Sequence, residues 1–121
     1  MASGASKAQP VGFCLGTMAA DEVEVLSLCV LPDQRRCGVA RRLMRAFQEL
    51  AWQRGGRVVF LEVAHDNTAA IALYSSLGYI ETARRRGYYA ATATTPARDG
   101  IVMRQQLSQV PKGAPTGLQN C

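Results

Sequence analysis

A chain of 121 residues that is 48% hydrophobic and 19% charged has room for one domain with a real core and not for two. No apolar run approaches the ~20 residues a membrane-crossing helix needs, and the opening MASGASKAQP has no apolar stretch of the kind a secretory signal requires. The net charge of +5 favours an anionic partner. No helix-turn-helix, RNA-stacking aromatic pair or zinc-finger spacing accompanies it, so a phosphate-bearing small molecule suits the field as well as nucleic acid does.

Residues 1–10 read as a flexible leader. VGFCLGTMA and EVEVLSLCVL, separated by ADE, are β-rich runs that predict an antiparallel hairpin. In the second run Glu24, Leu26, Leu28 and Val30 share one face, and Val23, Val25, Ser27 and Cys29 the other. Both faces become apolar toward the end of the run, which predicts a central strand covered on both sides. Pro32 stops it. From Gly38 to Arg54 the spacing turns helical, with Val39, Leu43, Phe47 and Leu50 on the apolar stripe, and Gly55-Gly56 supplies a left-handed end. RVVFLEVA is the next strand. Asn67 is a good N-cap for a helix through Leu77, closed by Gly78. A strand from Tyr79 to about Tyr88, a loop AATATTPARD and a last strand GIVMRQQL follow.

The order is β-β-α-β-α-β-β, an α/β domain on a mixed sheet over 11–107 with a parallel crossover in its middle. SQVPKGAPTGLQNC, at 108–121, has no periodicity and reads as a disordered tail. Cys14, Cys29, Cys37 and Cys121 lack metal-ligand spacing, and His65 is the single histidine, so no metal site is expected. Cys14 and Cys29 are expected to pack as small core residues. His65, at a strand-to-helix corner, reads as a surface polar residue. Nothing calls for an oxidising compartment, and a cytoplasmic location is the default.

Arg35 to Ala40, RRCGVA, joins the buried strand to the first helix. Gly38 and Ala40 lack bulk, so backbone N–H groups there can approach a ligand closely, and the helix start behind them adds unpaired donors and a positive dipole end. Arg35, Arg36, Arg41 and Arg42 crowd that positive end, where carboxylates would be preferred. An anion bound there would relieve the conflict; solvated arginines at an ordinary helix start are the plainer reading.

Glu62 shares a face with Val58, Phe60 and Ala64 on a strand that otherwise reads as buried. A carboxylate there costs several kcal/mol, roughly, unless it is paired or opens onto a cleft. The plainer reading is an ion pair with an arginine. Tyr74 forms a spacing of three with Ile71 and Leu77, as a core aromatic would. Tyr88 and Tyr89 fit the entrance of such a cleft or the cover of a strand end equally well.

Two phrases, VLPDQRRCGVARRLM and FLEVAHDNTAAIALYSSLGYIE followed by RRRGYY, resemble the GNAT acetyltransferase superfamily. The latter phrase is similar to its RimI branch, the ribosomal-protein-alanine N-acetyltransferases. The resemblance, running from about Val11 to Leu107, implies a GNAT-like mixed sheet flanked by helices and acetyl-CoA as co-substrate. Arg35, Gly38 and Ala40 match the Gln/Arg-x-x-Gly-x-Gly/Ala motif that holds the pyrophosphate, within a loop that includes Arg36, Cys37, Val39 and Arg41. Leu28, Cys29 and Val30 match the strand whose backbone pairs with the pantetheine arm, and Asn67 matches a pantetheine contact. Glu62 matches the general base. Tyr74 matches the general acid, beside the cofactor.

The family places a strand, two helices and another strand before the hairpin, whereas ten residues precede Val11 here. The resemblance therefore implies an N-terminally shortened member with a complete cofactor half. It also implies an open edge on VGFCLGTMA that favours a homodimer. The partner implied is a protein or peptide N-terminus, with a small-subunit ribosomal protein as a candidate, and neither DNA nor membrane. Two other functions stay open: transfer to lysine or small amines, and a non-catalytic acetyl-CoA-binding or ribosome-associated module.

Overall fold

A computed structural model describes residues 12–32 and 38–108. The leader at 1–10, the loop residues Arg35, Arg36 and Cys37, and the tail from 109 onward lie outside the described residues. The elements are β1 (Gly12–Ala19), β2 (Glu22–Val30), α1 (Val39–Gln53), β3 (Val58–Ala64), α2 (Thr68–Ser76), β4 (Ile80–Tyr89) and β5 (Arg98–Gln106). Their order is the expected one. β5 begins two residues earlier than the sequence pattern places it, which brings Arg98 and Asp99 into the sheet.

The five strands form one sheet in the order β1-β2-β3-β5-β4. β2 and β3 run parallel and the other pairs antiparallel. Both helices lie on one face. Val23, Val25, Val59, Leu61, Val63, Ile101 and Met103 from the sheet meet Met44, Ala51, Tyr74, Leu77 and Tyr79 in a single buried cluster. Each large apolar side chain so buried contributes roughly 1.5–3 kcal/mol.

α1 approaches β1 closely because two strand positions are glycines. A Cβ at Gly16 would strike the Phe47 ring and the Glu24 carbonyl, and one at Gly12 would crowd Leu43 and the Cys29 carbonyl. Small residues in a strand often mark such an approach. α2 starts at Asn67, whose side chain accepts from the Ala70 N–H at 3.2 Å, the expected N-cap. Arg57, just ahead of β3, secures the end of α1 by donating to the carbonyls of Trp52 at 3.0 Å and Gly56 at 2.7 Å.

Three expectations need correction. Leu50 is exposed, and the buried side of α1 runs through Val39, Met44 and Ala51 instead. The faces of β2 do not alternate as a simple period of two. Leu15 pairs with Ser27 while Gly16 pairs with Val25, so Leu26 is an extra residue in β2, a β-bulge. After it Leu28 turns to the helix side and packs on the core, whereas Cys29 is exposed and not the core residue expected. Third, the described helices cover one face of the sheet only: Phe13, Leu15 and Leu26 are each more than half exposed. Among the described residues no helix is long and apolar enough to cross a membrane.

Candidate active site

The ladder between β2 and β3 is short. It joins Glu22–Glu24 to Val58–Phe60 and stops, although β2 continues to Val30 and β3 to Ala64. Beyond that point β2 stays with β1 and β3 with β5, so the facing edges of Val25–Cys29 and Leu61–Ala64 draw apart. The Leu26 bulge lies where the parting begins. A gap of this kind exposes strand N–H and C=O groups to an extended ligand, which can add itself as a strand would. The strands are parallel, so the gap opens toward their carboxyl ends, where the chain runs on toward α1 and α2. Ligands in α/β sheets favour that end.

Gly38 is the N-cap of α1, with φ 75 and ψ 10, a left-handed conformation that glycine adopts without penalty. Among the described residues nothing lies within 4 Å of the position a Cβ would take. Among the described residues no side chain caps the helix, and its first turn holds no acid. The first turn closes with the Arg42 N–H donating to the Gly38 carbonyl at 3.1 Å. The N–H groups ahead of Arg42 therefore have no intrahelical acceptor and meet the positive dipole end. Val39 is buried and anchors the turn, while Ala40 and Arg41 are half-buried. Such a helix start suits an anionic group in sign.

Glu62 sits on the sheet face away from the helices, its side chain 19% exposed. Its Oε2 is buried without a hydrogen-bond partner among the described residues, and its Oε1 lies 3.7 Å from the Arg85 Nε. The carboxylate rests over Gly100 of β5, where a Cβ would collide with Oε2 and stand 3.3 Å from the Tyr88 Cβ. A cavity of about 290 Å³ adjoins it, lined among others by Thr17, Glu22, Glu24, Phe60, Arg85 and Val102. The ion pair anticipated for Glu62 is thus present but long, and the carboxylate also borders a cleft. Tyr89 feels that charge. Burial, then the Glu62 carboxylate, then Tyr88 push its phenol above the ordinary value, against the opposing pull of Arg98.

Tyr74 occupies the other side of the sheet. It is buried in the helix-side core, as its spacing predicts, with its ring edge-on to Tyr79 at 5.8 Å. Tyr79 is fixed by donating to the Gln48 Oε1 at 2.7 Å. Burial, reinforced by the neighbouring Cys14 thiol, raises the Tyr74 phenol above its usual 10, which keeps it protonated as a donor must be. Burial likewise pushes the Cys14 thiol up to about 11. Glu62 and Tyr74 therefore flank the sheet from opposite faces. Leu28 and Cys29 belong to the β2 side of the gap, and Asn67, the N-cap of α2, follows the end of β3, its N–H donating to the Ala64 carbonyl at 3.0 Å.

Sequence reasoning misses Arg85, Asp99 and Gly100. RRRGYY signals charge but not which arginine points at Glu62, and a glycine opening a strand carries no mark of what it accommodates. His65 is not the plain surface group expected. Its ring accepts from the Asp99 N–H at 2.9 Å.

Comparison with known proteins agrees with this geometry. The acetyltransferase (GNAT) family model matches residues 4–79. The [ribosomal protein bS18]-alanine N-acetyltransferase of Escherichia coli strain K12 is 38% identical over 97 residues, 79% of this chain and 64% of that protein. The N-alpha-acetyltransferase RimI of Mycobacterium tuberculosis is 44% identical over 88 residues, 70% of this chain and 54% of that one. The chain thus spans less than two thirds of the length of these curated relatives. The crystal structure of the E. coli ribosomal-protein-S18-alanine N-acetyltransferase superposes with a TM-score of 0.75 at 33% identity, covering 87% of this chain and 66% of that one. A sheet parted between two parallel strands, a glycine-capped, acid-free start to the following helix and a family model spanning both leave one assignment: the chain belongs to the acetyltransferase (GNAT) family.

Proposed function

We propose that this chain binds acetyl-CoA and transfers its acetyl group directly to the α-amino group of a protein N-terminus, with Glu62 as base and Tyr74 as acid. The observation that carries this reading is the gap between β2 and β3, with a carboxylate on one face of the sheet and a protonated phenol on the other. The pyrophosphate would lie at Gly38–Arg41 and the pantetheine arm along Leu28–Val30, where Asn67 would contact it. Similarity to the ribosomal-protein alanine enzymes supports an N-terminal alanine, of a small-subunit ribosomal protein, as the acceptor.

The chemistry suits these groups. An α-amino group ordinarily titrates at roughly 7.7–8.0, so part of it is already neutral near pH 7, whereas a lysine at roughly 10.4 needs stronger help. The amine nitrogen forms the N–C bond at the thioester carbonyl and loses its proton to Glu62, directly or through a water. A strand N–H at the gap stabilises the carbonyl oxygen as it gains charge. The C–S bond then breaks and the departing thiolate takes the Tyr74 proton. Glu22, Glu24 and Glu62 around the cavity favour a positively charged acceptor over an anionic one.

A thermal melt and a peptide panel test this together. Acetyl-CoA at 100 times its Kd should add about 2.7 kcal/mol of stability, and Gly38→Val should abolish the rise because a β-branched residue cannot adopt φ 75 without strain. Peptides with a free N-terminal alanine should be acetylated, and N-blocked peptides bearing only lysine should not. An unchanged melt at millimolar acetyl-CoA, or preference for lysine, would sink the reading.

We further propose that β1 mediates self-association. Among the described residues it is an edge strand, it holds neither Lys nor Pro, and Phe13 and Leu15 lie exposed on it. Such an edge invites strand addition. Light scattering of this chain across a concentration series should show a dimer, and a monomer at every concentration would dismiss the idea.

A further inference from the structure

Arg85, whose guanidinium faces Glu62, is the last regular pair before β4 leaves the ladder, and Tyr88, over which that guanidinium lies, belongs to the irregular part. Pairing with β5 runs through Arg84–Ile101 and Arg85–Gly100, then jumps to Tyr89–Arg98, so four steps along β4 are matched by two along β5. At the middle of this excursion Gly87 has φ 62. An irregular segment with so few ladder bonds needs another anchor to hold its side chains in place.

Asp99 is that anchor. Its Oδ1 accepts from the Gly87 N–H at 2.8 Å and its Oδ2 from the Arg84 Nε at 2.8 Å. Its backbone is fixed from the opposite side, the N–H donating to the His65 Nδ1 at 2.9 Å and the carbonyl accepting from the His65 N–H at 2.9 Å. The Gly87 amide, then the Arg84 guanidinium, hold its carboxyl below the ordinary carboxylate value, as expected of a carboxylate whose charged form is the bonded one. One residue thus ties the β4 excursion, through its side chain, to the corner that follows β3, through its backbone. The residues it presents sit against the site: the Arg85 guanidinium lies 5.1 Å from the Tyr88 ring centre and 3.7 Å from Glu62.

We propose that Asp99 is a positioning residue of the acceptor rim, acting through Gly87 and Arg84 to hold Arg85 and Tyr88 beside Glu62 and so setting how tightly the acceptor is gripped. The inference rests on the proposed function, with the acceptor entering at Glu62. Rim contacts act on the bound ground state as much as on the transition state, so their loss raises KM rather than lowering kcat.

The test uses the full chain with an N-terminal alanine peptide and acetyl-CoA. Asp99→Ala should raise the peptide KM about tenfold, equivalent to about 1.4 kcal/mol of acceptor binding, with kcat and the acetyl-CoA Kd nearly unchanged. Asp99→Asn retains an oxygen for the Gly87 N–H and should restore most of the loss. If Asp99→Ala does not fold, Arg84→Gln removes one arm of the clamp and should still raise KM by about threefold, since exposed charged pairs are worth little. An unchanged KM, or a fall in kcat at constant KM, overturns the proposal. If the unsubstituted chain acetylates no peptide, the functional reading fails by itself. Hydrogen exchange at the Gly87 amide then decides the clamp alone: slow in the parent and fast in Asp99→Ala supports it, and equal rates in both refute it.

Discussion

Glu62→Gln is expected to lower kcat by about 10²–10⁴-fold while acetyl-CoA binding stays nearly intact, the usual worth of a single acid–base group. Glutamine keeps the size and the place over Gly100 but cannot take a proton. Tyr74→Phe should lower kcat over the same range for the opposite reason: the thiolate must then leave without a donor. Tyr74 is buried in the core, so phenylalanine, which keeps the ring against Tyr79, is the substitution that separates chemistry from packing. Single-turnover acetyl transfer, paired with cofactor titration, measures both variants. Because burial raises the Tyr74 phenol above 10, its deprotonation should not limit kcat at pH 9. Full activity in Tyr74→Phe would leave the tyrosine as a core residue and nothing more.

How far the sequence foretells this arrangement depends on the kind of interaction. Element order is legible because it follows from periodicity and punctuation, both local. Asn67 as N-cap, Gly55 and Gly78 after helix ends, and the Ile71–Tyr74–Leu77 stripe all stand where the pattern puts them. The faces of β2 are not legible beyond Val25, since one inserted residue, Leu26, reverses the alternation and nothing in EVEVLSLCV marks it. Cys29 is misplaced by the pattern for that reason. Glu62 stands out as a carboxylate in a buried strand, but its surroundings come from β4 and β5, about twenty to forty residues away. Gly100, Arg85 and Asp99 matter only through contacts of that range. The same limit applies to Tyr74. Its burial is readable from spacing, whereas its place across the sheet from Glu62 follows from the strand order β2-β3-β5 and from the side the helices occupy.

The sharpest test of the site's geometry is a single methyl group. Gly100 is buried, and its φ is not in the left-handed range, so alanine is compatible with the backbone there. Gly→Ala within a strand would by itself stabilise by about 0.5–1 kcal/mol. The added Cβ, however, would occupy the place of the Glu62 Oε2 and press on the Tyr88 Cβ. The carboxylate must swing aside or the strands must part. A displacement of about 1 Å at a reacting group can cost about 10²-fold. Gly100→Ala should therefore lower kcat by about that factor, with acetyl-CoA binding unchanged and the melting temperature nearly constant. The loss should also be non-additive with Glu62→Gln: once the proposed base is gone, moving its side chain costs little more, because the two substitutions act on one group. Rates of the two single variants and the double variant decide the matter. A Gly100→Ala protein with parental kcat would mean that Glu62 does its work from a different rotamer, and that the close seat over Gly100 has no part in the chemistry.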